Sequence, residues 1–127
     1  IYMHNEKPIH VLAVDDEALS LEIIAHTLES EGYEVTCSTN GGQALLMLTG
    51  DPENYDIIIL DRKMPVLDGL EVLRRIRQHD KTKNKPVIIQ KGALHWAENA
   101  GPGYSIVSAD FYPPFDGKDR RFAPEKP

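Results

Sequence analysis

Three aspartates standing at the ends of two apolar runs give this chain its candidate chemistry. Val11-Leu12-Ala13-Val14 runs into Asp15-Asp16-Glu17, and Ile57-Ile58-Ile59-Leu60 runs into Asp61. Carboxylates gathered in one place repel one another, so a cluster of them raises at least one pKa or takes up a cation. Mg²⁺ suits such a site, because it prefers oxygen ligands and keeps several waters beside one or two protein carboxylates. A carboxylate is also a competent nucleophile. The plainer alternative is that these acids cap helices, where negative charge is favoured. Asp15 and Asp16 do precede a helical pattern. Capping explains each site alone, but not why both follow strands.

The positioning elements can be read along the chain. Residues 1–8 are a polar lead-in ending at Pro8, and residues 9–14 form a first strand. Leu21, Ile24, Ala25 and Leu28 recur at the spacing of one helix face, and Gly32 is placed to end that helix. Residues 33–38 alternate apolar and polar, as an edge strand does. A turn at Asn40-Gly41-Gly42 leads to a short helix carrying Ala44, Leu45 and Leu48, which Gly50 and Pro52 end. The run at Ile57, β-branched and unbroken, reads as a strand buried on both faces. Pro65 and Gly69 mark a loop, and Leu70, Leu73 and Ile76 carry a third helix. After a lysine-bearing polar loop, residues 86–90 give a fourth strand.

Strands alternating with helices predict right-handed crossovers and a parallel sheet covered on both faces. In the order 2-1-3-4-5, strands one and three are neighbours at the topological switch point. Their three carboxylates then meet in the crevice beyond the strand ends, where such sheets bind ligands.

Beyond Gln90 the text changes character. A short helix over 94–99 and a fifth strand at 104–107 or 110–112 are the expected elements. Residues 116–127 hold Gly117, Pro124 and Pro127 and offer no apolar stripe for a closing helix. They are expected to form a disordered tail behind a domain of residues 9–115. The sheet face beside the first helix should then be partly bare, which predicts low stability and self-association through that face or the fifth-strand edge.

Composition narrows the class. The 127 residues suffice for one domain, and 41% hydrophobic with 27% charged residues is ordinary for a soluble globular protein. Twenty acidic against 14 basic residues leave a net charge of −6, which argues against a nucleic-acid surface. The single cysteine, Cys37, suits a cytoplasmic location and excludes an internal disulfide framework. No apolar run approaches a membrane span and no signal peptide is visible. The chain starts at Ile1, which leaves room for a longer protein with a separate output domain. The five histidines show no metal-ligand spacing on a helix face, and Gly41-Gly42 lacks the spacing of a phosphate-binding loop.

Val14-Asp15-Asp16-Glu17, Asp61-Arg62-Lys63-Met64-Pro65 and Asp68-Gly69 together resemble the receiver domain of two-component response regulators. The resemblance covers about residues 9–89. It implies a doubly wound, flavodoxin-like parallel sheet of order 2-1-3-4-5, here with its last helix missing or degenerate. By the resemblance, Asp61 is the phosphoacceptor. Asp16 is a direct Mg²⁺ ligand, Asp15 its partner through water, and the backbone carbonyl of Lys63 completes the metal site. The implied partner is a sensor histidine kinase or phosphotransfer protein, and the implied role is signal transduction rather than catalytic turnover.

The chain departs from that pattern in two places. The family carries Thr or Ser at the end of the fourth strand, where this sequence has Lys91. It carries Lys-Pro after the fifth. Aligning residues 109–115 there puts Pro113 at the lysine and Tyr112 at the switch aromatic. A shifted reading frame would look this way, as would a naturally degenerate domain. The departures keep a second reading open, a pseudo-receiver that binds proteins without being phosphorylated. A Mg²⁺-dependent phosphatase is more remote, since such enzymes show Asp-x-Asp where this chain has Asp61-Arg62-Lys63.

Overall fold

A computed structural model of the chain describes residues 7–90 and 109–112. In order, the elements are β1 (His10–Val14), α1 (Ala18–Ser30), β2 (Glu34–Ser38), α2 (Gly41–Gly50), a 3₁₀ turn (Pro52–Asn54), β3 (Ile57–Asp61), α3 (Gly69–Gln78), β4 (Val87–Gln90) and β5 (Ala109–Tyr112). The five strands form one sheet in the order β2-β1-β3-β4-β5. β1 pairs in parallel with β2 and with β3, and β3 in parallel with β4. This is the flavodoxin-like arrangement expected from the alternating pattern, with β1 and β3 side by side.

β5 differs from expectation. It lies beside β4 but runs antiparallel to it, pairing Val87 with Tyr112 and Gln90 with Ala109. A parallel fifth strand needs a crossover, usually through an α-helix, whereas an antiparallel one does not. Gly92, Gly101, Pro102 and Gly103 make the intervening sequence a poor source of such a helix. The expected helix over 94–99, the strand at 104–107, the lead-in up to residue 6 and the tail over 116–127 lie outside the described residues.

Among the described residues, the two sheet faces are filled unequally. Leu12, Val14, Ile58, Leu60, Val87 and Ile89 point to the side covered by α2 and α3. There they form one core with Ala44, Leu48, Val72, Leu73 and Ile76. Replacing one of these fully buried side chains, such as Ile76, by Ala costs about 2–5 kcal/mol in comparable cores. On the other side α1 contributes Leu21 and Ile24 to a small cluster with Ala13. Ile57, Ile59 and Ile88, on that face by strand alternation, are only half-buried.

Both later helices start on a side-chain cap. Asn40 Oδ1 accepts from the Gln43 amide at 2.7 Å to open α2. Asp68 Oδ1 accepts from the Glu71 amide at 2.9 Å to open α3. At its other end α3 buries Arg77, whose guanidinium donates to the Lys85 carbonyl at 2.7 Å and to the Tyr112 carbonyl at 3.1 Å. That side chain ties β5 to the body of the domain.

Candidate functional site

The site lies where β1 and β3 end. Asp15, Asp16 and Asp61 each offer a carboxylate oxygen, and the three oxygens lie within 4.8 Å of one another. Among the described residues this is the group of acidic and histidine side chains able to hold a metal ion. Asp15 and Asp61 are buried and Asp16 is exposed, so the cluster opens to solvent through Asp16.

Local backbone structure fixes each carboxylate. The Asp15 amide donates to the Ser38 carbonyl at 3.1 Å, which extends the β1–β2 ladder by one residue. Asp15 Oδ1 accepts from the Glu17 amide at 2.9 Å, a tight turn that leads into α1. The residue at the cap position of α1 is Glu17, and it makes no side-chain capping bond. Helix capping therefore does not account for Asp16. Asp15 Oδ2 is buried without a hydrogen-bond partner among the described residues.

Beyond Asp61 the loop is pinned at several points. The Lys63 amide donates to the Asp61 carboxylate. The Arg62 amide donates to the Gln90 carbonyl at 3.1 Å, and the Arg62 carbonyl accepts from the Gly69 amide at 2.9 Å. A Cβ at Gly69 would collide with the Asp61 carbonyl, so close approach requires glycine there in addition to the turn. Met64 is buried in the main core and anchors the loop from beneath. Val66 is fully exposed at φ 69°, a left-handed conformation that is strained for a β-branched residue.

Crowding shows in the electrostatics. Burial above all, then the charges of Asp61, Asp16 and Glu17, push the Asp15 carboxyl up from 3.8 to about 7, against the pull of the Glu17 amide. The Asp61 carboxyl is raised as well, again first by burial and then by Asp16 and Glu17, with the Lys63 amide opposing. A buried oxygen without a donor, beside carboxylates that resist ionising together, fits a hard divalent cation.

The remaining expectations fall elsewhere. Lys91 and Pro113 lie outside the described residues. Tyr112, matched to the switch aromatic, sits opposite Val87 at the far end of β4 from Asp61, because β5 runs antiparallel. Its side chain packs on the main core. His10 is engaged structurally, with Nε2 2.6 Å from Thr36 Oγ1 and Nδ1 3.2 Å from Asn54 Oδ1. Sequence reasoning passed over Gln90, a buried polar residue in register with Asp61. The signal was present in the sequence as a glutamine closing an apolar strand.

A doubly wound α/β domain with an acidic crevice at its topological switch point is thus the class that fold and site define. The family comparison makes it specific. The chain matches the response regulator receiver domain over residues 11–96 and belongs to that family. It is 40% identical over 82 residues to the two-component response regulator ORR11 of Oryza sativa, covering 65% of this chain and 55% of that protein. It is also 36% identical over 77 residues to a probable histidine kinase 3 of the same species, covering 61% of this chain and 7% of that one. The chain thus spans about half the length of the response regulator it matches. Among solved structures, the Vibrio cholerae chemotaxis protein CheY4 superposes with a TM-score of 0.61 at 34% identity, covering 65% of this chain and 68% of that one. The N-terminal domain of a response regulator receiver protein from Methanoculleus marisnigri gives 0.62 at 30% identity, with 72% of each chain covered. Among the described residues no helix is long and apolar enough to cross a membrane.

Proposed function

We propose that Asp61 accepts a phosphoryl group from a histidine kinase or phosphotransfer protein, in a site that binds Mg²⁺ through Asp16, Asp61, the Lys63 carbonyl and, through water, Asp15. The observation that carries this reading is the convergence of three carboxylates within 4.8 Å at the ends of adjacent strands in a receiver-family chain.

The ionised Asp61 carboxylate attacks the phosphorus of a phosphohistidine. A new O–P bond forms as the P–N bond breaks, and the electron pair returns to the imidazole nitrogen, which takes up a proton. Lys63, through its amide, and Gly69, through the close backbone packing it permits, hold the Asp61 carboxylate in place. Asp15, held by the Glu17 amide at one oxygen, has its other oxygen without a donor among the described residues, and that oxygen would help hold the cation. When bound, the cation neutralises charge on the transferring group and favours the ionised form of Asp61.

The antiparallel β5 and the residues at 91 and 113 favour a weaker response than an intact receiver gives, and in the limit a pseudo-receiver that binds partners without phosphorylation. Loss of one preorganised charge-stabilising donor commonly costs about 10²–10³ in rate. Intact-mass measurement after incubation with a small phosphodonor separates the readings. Slow, Mg²⁺-dependent gain of one phosphoryl group, absent in Asp61→Asn, is the expected result. Lack of any gain in the wild type favours the pseudo-receiver.

A further inference from the structure

Three strands end on one face in a row of polar residues. Val14, Leu60 and Ile89 point into the main core, so by alternation their successors Asp15, Asp61 and Gln90 leave the opposite face. Asp61 and Gln90 are direct register partners on parallel β3 and β4. Gln90 is 2% exposed, and its Nε2 has no hydrogen-bond partner among the described residues. The other buried side-chain atom in that condition is Asp15 Oδ2, in the same row. One is a donor lacking an acceptor and the other an acceptor lacking a donor, and they flank Asp61.

An unmatched buried amide carries its full desolvation cost, and an apolar residue of the same size would avoid it. The backbone at this point is fixed, since the Gln90 carbonyl accepts from the Arg62 amide, one residue past Asp61. We propose that the Gln90 side-chain amide is a catalytic donor. Its Nε2–H binds an oxygen of the phosphoryl group carried by Asp61, reaching it from the last residue of β4. This rests on the reading of Asp61 as phosphoacceptor. The amide suits the position because it donates without adding charge to the acidic row. It also leaves the carboxylate oxygens to the cation. Its acceptor arrives with the phosphoryl group, which explains why it is unmatched beforehand.

Gln90→Leu and Gln90→Met test this, since each removes the donor and the unmatched atom together at similar volume. Three results are expected in both variants. The thermal midpoint of the unphosphorylated protein rises or holds, Mg²⁺ affinity stays within about twofold, and phosphorylation by a small phosphodonor slows by about ten- to a hundredfold. In ¹⁵N-labelled wild type, the side-chain amide resonances of Gln90, assigned by their absence from Gln90→Leu, should shift when the phosphoryl group is added. A purely structural glutamine would lower the melting point and the rate together, and that pattern overturns the proposal. Wild-type rates in both variants overturn it while leaving Asp61 as the acceptor. A wild type that takes no phosphoryl group overturns both.

Discussion

Where β1 and β3 end, the chain sets carboxylates on parallel strands. Where β4 ends and β5 begins, it sets a buried amide and a strand running the other way. The first half of the crevice gathers three carboxylates that could hold a metal ion. In the second half, the sequence departs from the receiver pattern at Lys91 and Pro113. Tyr112 is carried to the opposite end of β4 by strand direction alone. The two halves differ because they are built by different strands with different sequence requirements.

The comparison breaks most readily at Arg77. Its guanidinium joins α3 to the Lys85 and Tyr112 carbonyls in a buried setting. Arg77→Met leaves those carbonyls without their donor and should cost about 3 kcal/mol. Chemical denaturation measures the loss, and hydrogen exchange should show β5 amides losing protection before those of β1 and β3. Equal loss across the sheet would mean that the two halves form one cooperative unit.

Cation binding sharpens the other half. Asp16→Ala should weaken Mg²⁺ affinity by about a hundredfold, the loss of one charged ligand, and Asp15→Ala by less if, as proposed, Asp15 acts through water. Isothermal titration reads both. An Asp15→Ala effect as large as that of Asp16→Ala would make Asp15 the direct ligand.

The raised carboxyls also predict a pH dependence. The folded Asp15 pKa, about 7, lies above its unfolded value, so the folded state binds more protons across the window between them. Stability should fall as pH rises from about 4 to about 7 without divalent cation, by about 3 kcal/mol. Saturating Mg²⁺, which binds the ionised form, should offset the fall. Asp15→Asn should flatten the cation-free profile. Thermal melts across that range, with and without Mg²⁺, are the check.

The smallest effect is expected at Val66. Val66→Gly relieves the left-handed strain in an exposed loop and should stabilise by about 0.5–1 kcal/mol. Destabilisation in denaturant melts would show that the valine makes a favourable contact.

The first four strands and three helices were legible because apolar runs and helical spacing are local properties of sequence. Ile57–Leu60 reads as a buried strand wherever it is placed, and the switch-point order then brings Asp15 and Asp61 together. The direction of a four-residue strand is not local. It depends on how the chain returns to the edge of β4, so residues 110–112 were legible as one of two candidate strands without being legible as antiparallel. Gln90 escaped notice for a related reason. Its burial and its pairing with Asp61 are consequences of register. Gly69 was readable as a turn residue, but its contact with the Asp61 backbone needed the fold. The bare face foreseen beside α1 depends on residues beyond 112, which lie outside the described residues. Light scattering at rising concentration would show whether it drives self-association.

The central claim is that Asp61 is the carboxylate that takes the phosphoryl group, and locating the modification tests it most directly. Wild-type protein is incubated with Mg²⁺ and a small phosphodonor. The acyl phosphate is then reduced with borohydride, which converts a phosphorylated aspartate into homoserine, and the peptides are read by mass spectrometry. Conversion at Asp61, with Asp15 and Asp16 unchanged and no conversion when Mg²⁺ is chelated, is the predicted result. Conversion at Asp15 or Asp16, or at no aspartate while Mg²⁺ binds normally, would contradict it.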